Sequence, residues 1–270
     1  SLPFFAHIVY FLLYLFFYRK FSHIHCPSKF IAAQLRRHGY KSQLHVISNG
    51  VHPAFCPSEK PRDYSSGPVK ILMIGRLSPE KRQDVLIRAV MKSRHAGRIQ
   101  LYFAGSGPWG NKLRRLGSKL PNPPVFGHYS RDELIKLIHD CDLYVHASDV
   151  EIEGISCIEA FSCGLVPVIS DSKRSATTQF ALGPQHLFKA GSPESLAEKI
   201  DYWLDNPQQL KEASKKYICL GKQYSLERSV RKMEQVYSSV SSKDINEYNR
   251  SILFKLFTRI FQMLIAYPIL

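Results

Sequence analysis

Residues 151–170 read EIEGISCIEAFSCGLVPVIS. The stretch begins where an apolar run, DLYVHASDV (142–150), stops. It carries two carboxylates eight residues apart, Glu151 and Glu159, with Gly154 and Ser156 between them. A short apolar helical pattern then ends at Gly164, and a new apolar run, Leu165 to Ile169, follows at once. Strand, acidic turn, short helix, glycine stop and strand make one βαβ unit. The turn falls at the carboxyl end of a strand, where a parallel α/β sheet holds its ligand.

The same alternation extends in both directions. Upstream, VKILMIG (69–75) is a continuous apolar run suited to a buried parallel strand. The loop RLSPEKRQ leads from it into the helix DVLIRAVMKSRH. A strand at 99–105, a basic helix to about Leu120 and a short strand PVFG come next. The helix after them opens at Ser130, which has capping-box spacing with Glu133. Downstream of the central stretch come a short run at 186–190 and a helix with Ser192 as cap and Pro193 in first position. Helices at 207–222 and 225–239 follow. Residues 61–240 are therefore expected to form one doubly wound α/β domain with at least five parallel strands.

Before this domain, residues 52–68 hold four prolines and no apolar periodicity, which predicts a linker and a boundary near residue 60. Residues 1–60 are expected to contain an aromatic-rich helix over 3–20, buried or lying partly in lipid. A strand HIHC (23–26), a helix capped by Ser28 and ending at Gly39, a strand at 44–48 and a tight turn at Asn49-Gly50 complete this part. Residues 241–270 are expected as a polar connector and an amphipathic helix, with Ser251, Lys255, Thr258, Arg259 and Gln262 on one narrow face. Such a helix packs on another domain or lies at a membrane interface.

The 270 residues are 44% hydrophobic and 22% charged, enough to bury a sizeable core. The formal net charge of +15, from 37 basic against 22 acidic side chains, points to an anionic partner: a phosphorylated ligand or an anionic membrane surface. No nucleic-acid-binding signature accompanies it, so no nucleic acid is expected. The six cysteines form no CxxC pair, and most sit in apolar runs, which predicts reduced thiols and a cytoplasmic location. His23 and His25 have no second ligand pair, so no metal is expected. Residues 4–18 are apolar apart from His7 but only 15 long, short for a membrane span, and their basic residues follow the run instead of preceding it as in a signal peptide. The chain opens on Ser1 and not on methionine, from which upstream material is expected.

Three loops could carry chemistry. In Gly75-Arg76-Leu77-Ser78-Pro79-Glu80-Lys81, Gly75 lets the backbone approach a ligand, and Arg76 and Lys81 can converge on one diphosphate. Gly75 stands alone, so this is neither a GxGxxG fingerprint nor a P-loop. Gly105-Ser106-Gly107 follows the next strand and reads as a tight turn or as a cradle of backbone amides. In the central stretch, the N–H groups of Gly154, Ile155 and Ser156 open a helix whose positive end attracts phosphate. Glu151 lies before that helix and Glu159 within it, so the two do not form a close catalytic pair of the glycosidase type. They suit two different hydroxyl-bearing parts of one ligand. Glu159 sits among apolar neighbours and needs a partner.

Arg76-x4-Lys81, the E-x7-E pair Glu151/Glu159 and CGLVPVIS (163–170) together resemble the retaining GT-B glycosyltransferases of family 4. CPSKFIAAQL (26–35) and VISNGVHPAF (46–55) are similar to the end of that family's N-terminal domain and its linker, so the resemblance covers residues 23–240. It implies a GT-B type fold, with a truncated Rossmann-like N-terminal domain before the donor domain. It also implies that Arg76 and Lys81 hold the donor diphosphate, Glu151 the sugar, Glu159 the ribose, and Gly154 to Ser156 phosphate or sugar. Gly127-His128-Tyr129 would border the nucleobase. No cofactor is implied, and the cations and the helix start replace a metal.

The sequence departs from the family's E-G-F-G at Glu151-Ile152-Glu153-Gly154, where the extra Glu153 is expected to alter sugar choice or face water. The family's N-terminal glycine loop and histidine are expected before Ser1, and that role is not assigned to His7, His23 or His25. The implied activity is hexose transfer from a nucleotide-diphosphate sugar, with a membrane lipid, as in diacylglycerol glucosyltransferases, or a polysaccharide precursor as acceptor. The location would be cytoplasmic, or peripheral on the inner membrane face. The alternative is a donor-binding half that binds nucleotide sugar and transfers nothing alone.

Overall fold

The computed structural model describes residues 2–59, 62 and 67–240. The expected amphipathic tail helix lies outside the described residues. Residues Ser1–Ser229 form one compact unit; of a second, which begins at Val230, the structure describes only the end of the last helix.

In chain order the elements are α1 (Leu2–Phe16), β1 (His23–Cys26), α2 (Lys29–Arg37), β2 (Gln43–Val46), β3 (Val69–Ile74), α3 (Gln83–Lys92), β4 (Ile99–Ala104), α4 (Gly110–Gly117) and β5 (Val125–Gly127). Then come α5 (Arg131–Asp140), β6 (Leu143–His146), α6 (Ile155–Ser162), β7 (Val166–Ser170), β8 (Leu187–Phe188), α7 (Pro193–Asp205), α8 (Pro207–Gly221) and α9 (Leu226–Ser239). The capping signals act as read: Ser28 accepts from Ile31 N, Ser192 from Ser195 N, and Ser130 with Glu133 closes a capping box.

β1 and β2 pair in parallel as a small separate sheet. β3 to β8 form a six-stranded, all-parallel sheet in the order β5-β4-β3-β6-β7-β8. Counted from β3 this is the doubly wound order 3-2-1-4-5-6, whose direction reverses between β3 and β6. The strands read as unbroken apolar runs because helices cover both faces: every residue of β6 and β7 is buried. α3 packs on α7 and α6 on α8. Ser214 Oγ donates to Gly164 O at 2.6 Å, where Gly164 (φ +81°) stops α6.

The N-terminal segment has its own small core. Tyr10 and Tyr14 of α1, with Tyr18 one turn further on, lie four residues apart and pack around Tyr40, Leu35 and Ile24. Tyr10 stacks on His38 at 4.1 Å. The other face of α1, with Phe11, Leu12 and Phe16, is exposed. Among the described residues no helix is long and apolar enough to cross a membrane. Cys26, Cys141, Cys157 and Cys163 are buried free thiols, whereas Cys56 and Cys219 are exposed. His23 meets His45 across the small sheet at 2.9 Å, and no group of metal-ligating side chains occurs among the described residues.

Residues 49–51 fold back onto the start of α9. Val51 N donates to Tyr224 O at 2.8 Å and Leu226 N to Val51 O at 3.0 Å. A Cβ on Gly50 would lie 2.6 Å from Leu226 Cα, so the Asn49-Gly50 turn (φ +79° at Gly50) is wedged against the start of α9.

Candidate functional site

The site forms at the carboxyl ends of β3, β4 and β6, on either side of the point where the sheet changes direction. Two backbones meet there. Gly75 N donates to Ala104 O at 2.9 Å, Leu77 N to Ser106 O at 3.0 Å and Gly105 N to Gly127 O at 2.7 Å. A Cβ on Gly105 (φ +150°) would sit 2.1 Å from Gly75 O, and one on Gly107 would sit 2.5 Å from Leu77 O. Side chains are excluded, which leaves an open cleft of about 550 Å³ walled by Leu77, Gly105, Ser106, Gly107, Phe126 and His128. The expected amide cradle and His128 thus come together. Tyr129 does not line this cleft; its ring lies against Gly127. Arg114 lies over the Phe126 ring at 4.6 Å, adding a cation to the wall.

The second part of the site is a buried polar chain. Lys81 Nζ donates to Glu151 Oε1 at 2.5 Å, and His146 Nε2 lies 3.1 Å from the same oxygen. Tyr144 Oη is 3.1 Å from His146 Nδ1 and 3.2 Å from Ser156 Oγ. Burial on its own raises the Glu151 carboxyl, but the hydrogen bond and charge of His146, then those of Lys81, hold it at about 2. An ionised carboxylate only accepts, so His146 carries its proton on Nε2, and its Nδ1 faces the tyrosine hydroxyl. His146 is only 1% exposed. It was not singled out among the sequence's candidates, because a histidine in an apolar strand reads as core.

The two predicted cations differ in their partners. Lys81 is committed to Glu151, while Arg76 is exposed and has no ion pair among the described residues. Its loop is held by Gln83 Nε2, which donates to Arg76 O at 2.7 Å. Arg82, left-handed at φ +57°, pairs with Asp149 at 3.0 Å and so ties this loop to the turn after β6. The Lys81 stem runs along Gly75, where a Cβ would touch it at 3.6 Å, and Gly75 itself abuts Gly105. Gly75 therefore lies between the lysine–glutamate pair and the glycine cleft.

α6 opens at Gly154 (φ +85°), where a Cβ would lie 2.2 Å from Thr177 Cγ2, and Ile155 and Ser156 form its first turn. Glu159 lies on α6, and burial pushes its carboxyl up, with Arg131 acting in the opposite sense. It has no hydrogen bond or ion pair among the described residues. Glu153 corrects the expectation. It is 4% exposed and does not face water. Ser48 Oγ donates to Glu153 Oε1, Asn49 N donates to the same oxygen at 3.1 Å, and Asn49 Nδ2 donates to Oε2 at 2.6 Å. These donors lie over 100 residues away in the chain, where no local pattern could announce them.

Residues 58–218 match the family model of glycosyl transferases group 1, and residues 2–55 match that of glycosyltransferase family 4. An uncharacterized glycosyltransferase of Methanocaldococcus jannaschii is 27% identical over 222 residues, covering 80% of this chain and 59% of that protein. A sulfoquinovosyl transferase of Arabidopsis thaliana is 35% identical over 129 residues, 46% of this chain and 24% of that one. The chain thus spans about three fifths of the archaeal relative and a quarter of the plant one. Among solved structures, the catalytic domain of a cholesterol-alpha-glucosyltransferase from Helicobacter pylori is 42% identical, with 58% of this chain and 99% of that one covered and a TM-score of 0.57. Anabaena HepE, solved with UDP, has the same fold at 20% identity, with a TM-score of 0.76 over 89% of this chain and 70% of that one.

Proposed function

The chain belongs to the glycosyl transferases group 1, and from that premise we propose that it carries the donor site of an enzyme moving a hexose from UDP-hexose to a membrane lipid, with retention and without a metal. The observation that carries the reading is the adjacency, through Gly75, of the Lys81–Glu151 pair and the glycine-lined cleft at the switch point of a parallel sheet. A nucleoside diphosphate fits it: base and diphosphate along the backbone amides, sugar toward Glu151 and the start of α6, ribose hydroxyls on Glu159.

In this reading the bond from the anomeric carbon to the diphosphate oxygen breaks, and its electron pair stays on the diphosphate. Arg76 and Lys81 receive that charge. The acceptor hydroxyl attacks from the same face, and its proton passes to the departing phosphate oxygen. The name of the Helicobacter pylori protein supports a lipid acceptor and an α-linked product; forming an α-link from an α-linked nucleotide sugar is retention. The net charge of +15 and the exposed Phe11, Leu12 and Phe16 beside Arg19 and Lys20 support a site of action at an anionic membrane face, on the cytoplasmic side. A polysaccharide precursor is the competing acceptor.

Calorimetry with UDP, together with transfer from UDP-glucose to cholesterol or diacylglycerol in vesicles, tests the proposal. UDP binds, Arg76→Ala and Glu159→Ala each weaken it by about tenfold or more, and EDTA leaves the transfer rate unchanged. UDP affinity indifferent to both substitutions overturns the site. Binding without turnover by the 270-residue chain marks it as a donor-binding half.

A further inference from the structure

Glu153 is an acidic residue of the donor turn that the proposed chemistry does not use, and it is more deeply buried than Glu151. All three of its hydrogen-bond donors come from Ser48 and Asn49. The adjoining Ile152 is bound the same way: Ser28 Oγ, at the start of α2, donates to Ile152 O at 2.6 Å. Two consecutive residues of the donor turn are thus fastened to the N-terminal segment. Their neighbours on either side, Glu151 and Gly154, belong to the donor site.

The anchoring turn is itself immobilised. Gly50 N donates to Ser48 Oγ at 3.1 Å, and Gly50 is pressed against Leu226 on its far side. Among the described residues, the Glu151 backbone is held by Ala176 N, which donates to Glu151 O at 3.0 Å. The hydrogen bonds of the donor turn to the N-terminal segment are those of residues 152 and 153. A buried carboxylate held by three donors keeps its place because leaving any of them unpaired is costly.

We propose that Glu153 is a positioning residue: through its bonds to Ser48 and Asn49 it fixes the N-terminal, acceptor-side segment relative to the donor turn, and so sets the reach of the acceptor to the sugar held at Glu151. The inference rests on the donor-site reading above. It separates two quantities. UDP contacts neither Glu153 nor Asn49 in that reading, so disturbing the clasp lowers the transfer rate far more than UDP affinity.

A polarity swap tests it. Asn49→Asp sets two carboxylates against each other and cuts kcat by about tenfold or more, with UDP affinity kept within about threefold. Glu153→Gln alone costs less, about threefold, because the Asn49 amide can turn its oxygen to the new donor. Asn49→Asp with Glu153→Gln recreates a donor facing an acceptor and recovers most of the rate, a non-additive rescue that a general loss of stability does not give. A double variant no faster than Asn49→Asp, or an Asn49→Asp enzyme with unchanged kcat, overturns the proposal. Should Asn49→Asp fail to fold, Ser48→Ala removes one donor and no charge; a fall in kcat of about threefold at constant UDP affinity supports the clasp, and an unchanged kcat overturns it. A wild type that neither binds UDP nor transfers sugar overturns the donor-site reading instead. The clasp is then read by hydrogen exchange at the Asn49 amide, faster in Asn49→Asp and restored in the double variant if Glu153 holds it, unaltered if it does not.

Discussion

Lys81 Nζ donates to Glu151 Oε1 at 2.5 Å although 70 residues separate them, and the contact joins the loop after β3 to the turn after β6 across the switch point of the sheet. The pair sets a cation against a carboxylate, and His146 lies on the same oxygen. In the proposed donor reading, a diphosphate would compete with Glu151 for the lysine, and a sugar hydroxyl would take the lysine's place on the carboxylate.

The first prediction concerns pH. The folded Glu151 carboxyl, at about 2, lies below its ordinary 4.5. The stability it contributes is therefore fully present above about 4.5 and is lost as pH falls toward about 2. Denaturant unfolding over this range shows the loss in the wild type, and Glu151→Gln lacks that part of it. His146→Phe removes the larger support, so the window moves to higher pH. Parallel curves for all three proteins would count against the pairing.

Glu159 gives the opposite sign. Burial lifts its carboxyl above 4.5, so its contribution to stability is present below that value and lost as pH rises through the folded value. At neutral pH, Glu159→Gln removes a half-buried charge and stabilises the protein without UDP. The same change weakens UDP binding by about tenfold, because the ribose hydroxyls lose a charged acceptor. Thermal melts with and without UDP read both effects; a variant that is neither more stable nor a weaker binder refutes the assignment.

The glycine cleft tolerates no side chain. Gly105→Ala places a methyl 2.1 Å from Gly75 O and forces φ +150° on a residue with a Cβ. It destabilises by about 3 kcal/mol or more and abolishes UDP binding. Gly183→Ala, whose Cβ meets nothing within 4 Å, is the control and changes neither. Unfolding curves and calorimetry on the two variants decide the matter.

Arg62 in the linker is a structural fastener. Its Nε donates to Cys141 O at 2.9 Å, Nη1 to Cys163 O at 3.1 Å and Nη2 to Ile138 O at 3.0 Å. It thereby gathers carbonyls at the ends of both α5 and α6. Arg62→Ala costs about 2 kcal/mol or more, and Arg62→Lys recovers only part, because an ammonium cannot span three carbonyls as the planar fork does. Equal stability of the lysine variant and the wild type would show that charge alone matters there.

The strand-and-helix alternation, the caps at Ser28, Ser130 and Ser192, the stop at Gly164 and the cleft glycines were all legible in the sequence. Each depends on neighbours a few residues away or on the φ a single residue can adopt. Lys81 illustrates the limit of that reading: its spacing to Arg76 is as read, but the carboxylate it meets lies on another loop, 70 residues away. His146 and Arg62 were passed over for the same reason, since their partners lie on other elements.

The central stretch shows the division most plainly. By itself, EIEGISCIEAFSCGLVPVIS determined a strand-end turn, a short helix and a buried strand, because apolar period and glycine conformational freedom act locally. What its three glutamates do was decided only when the chain closed. Glu151 met Lys81 and His146, Glu159 was buried without a partner among the described residues, and Glu153 was taken up by Ser48 and Asn49. A carboxylate's role follows from the donors and charges within a few ångströms of it, and the sheet's topology brings those together from distant parts of the chain.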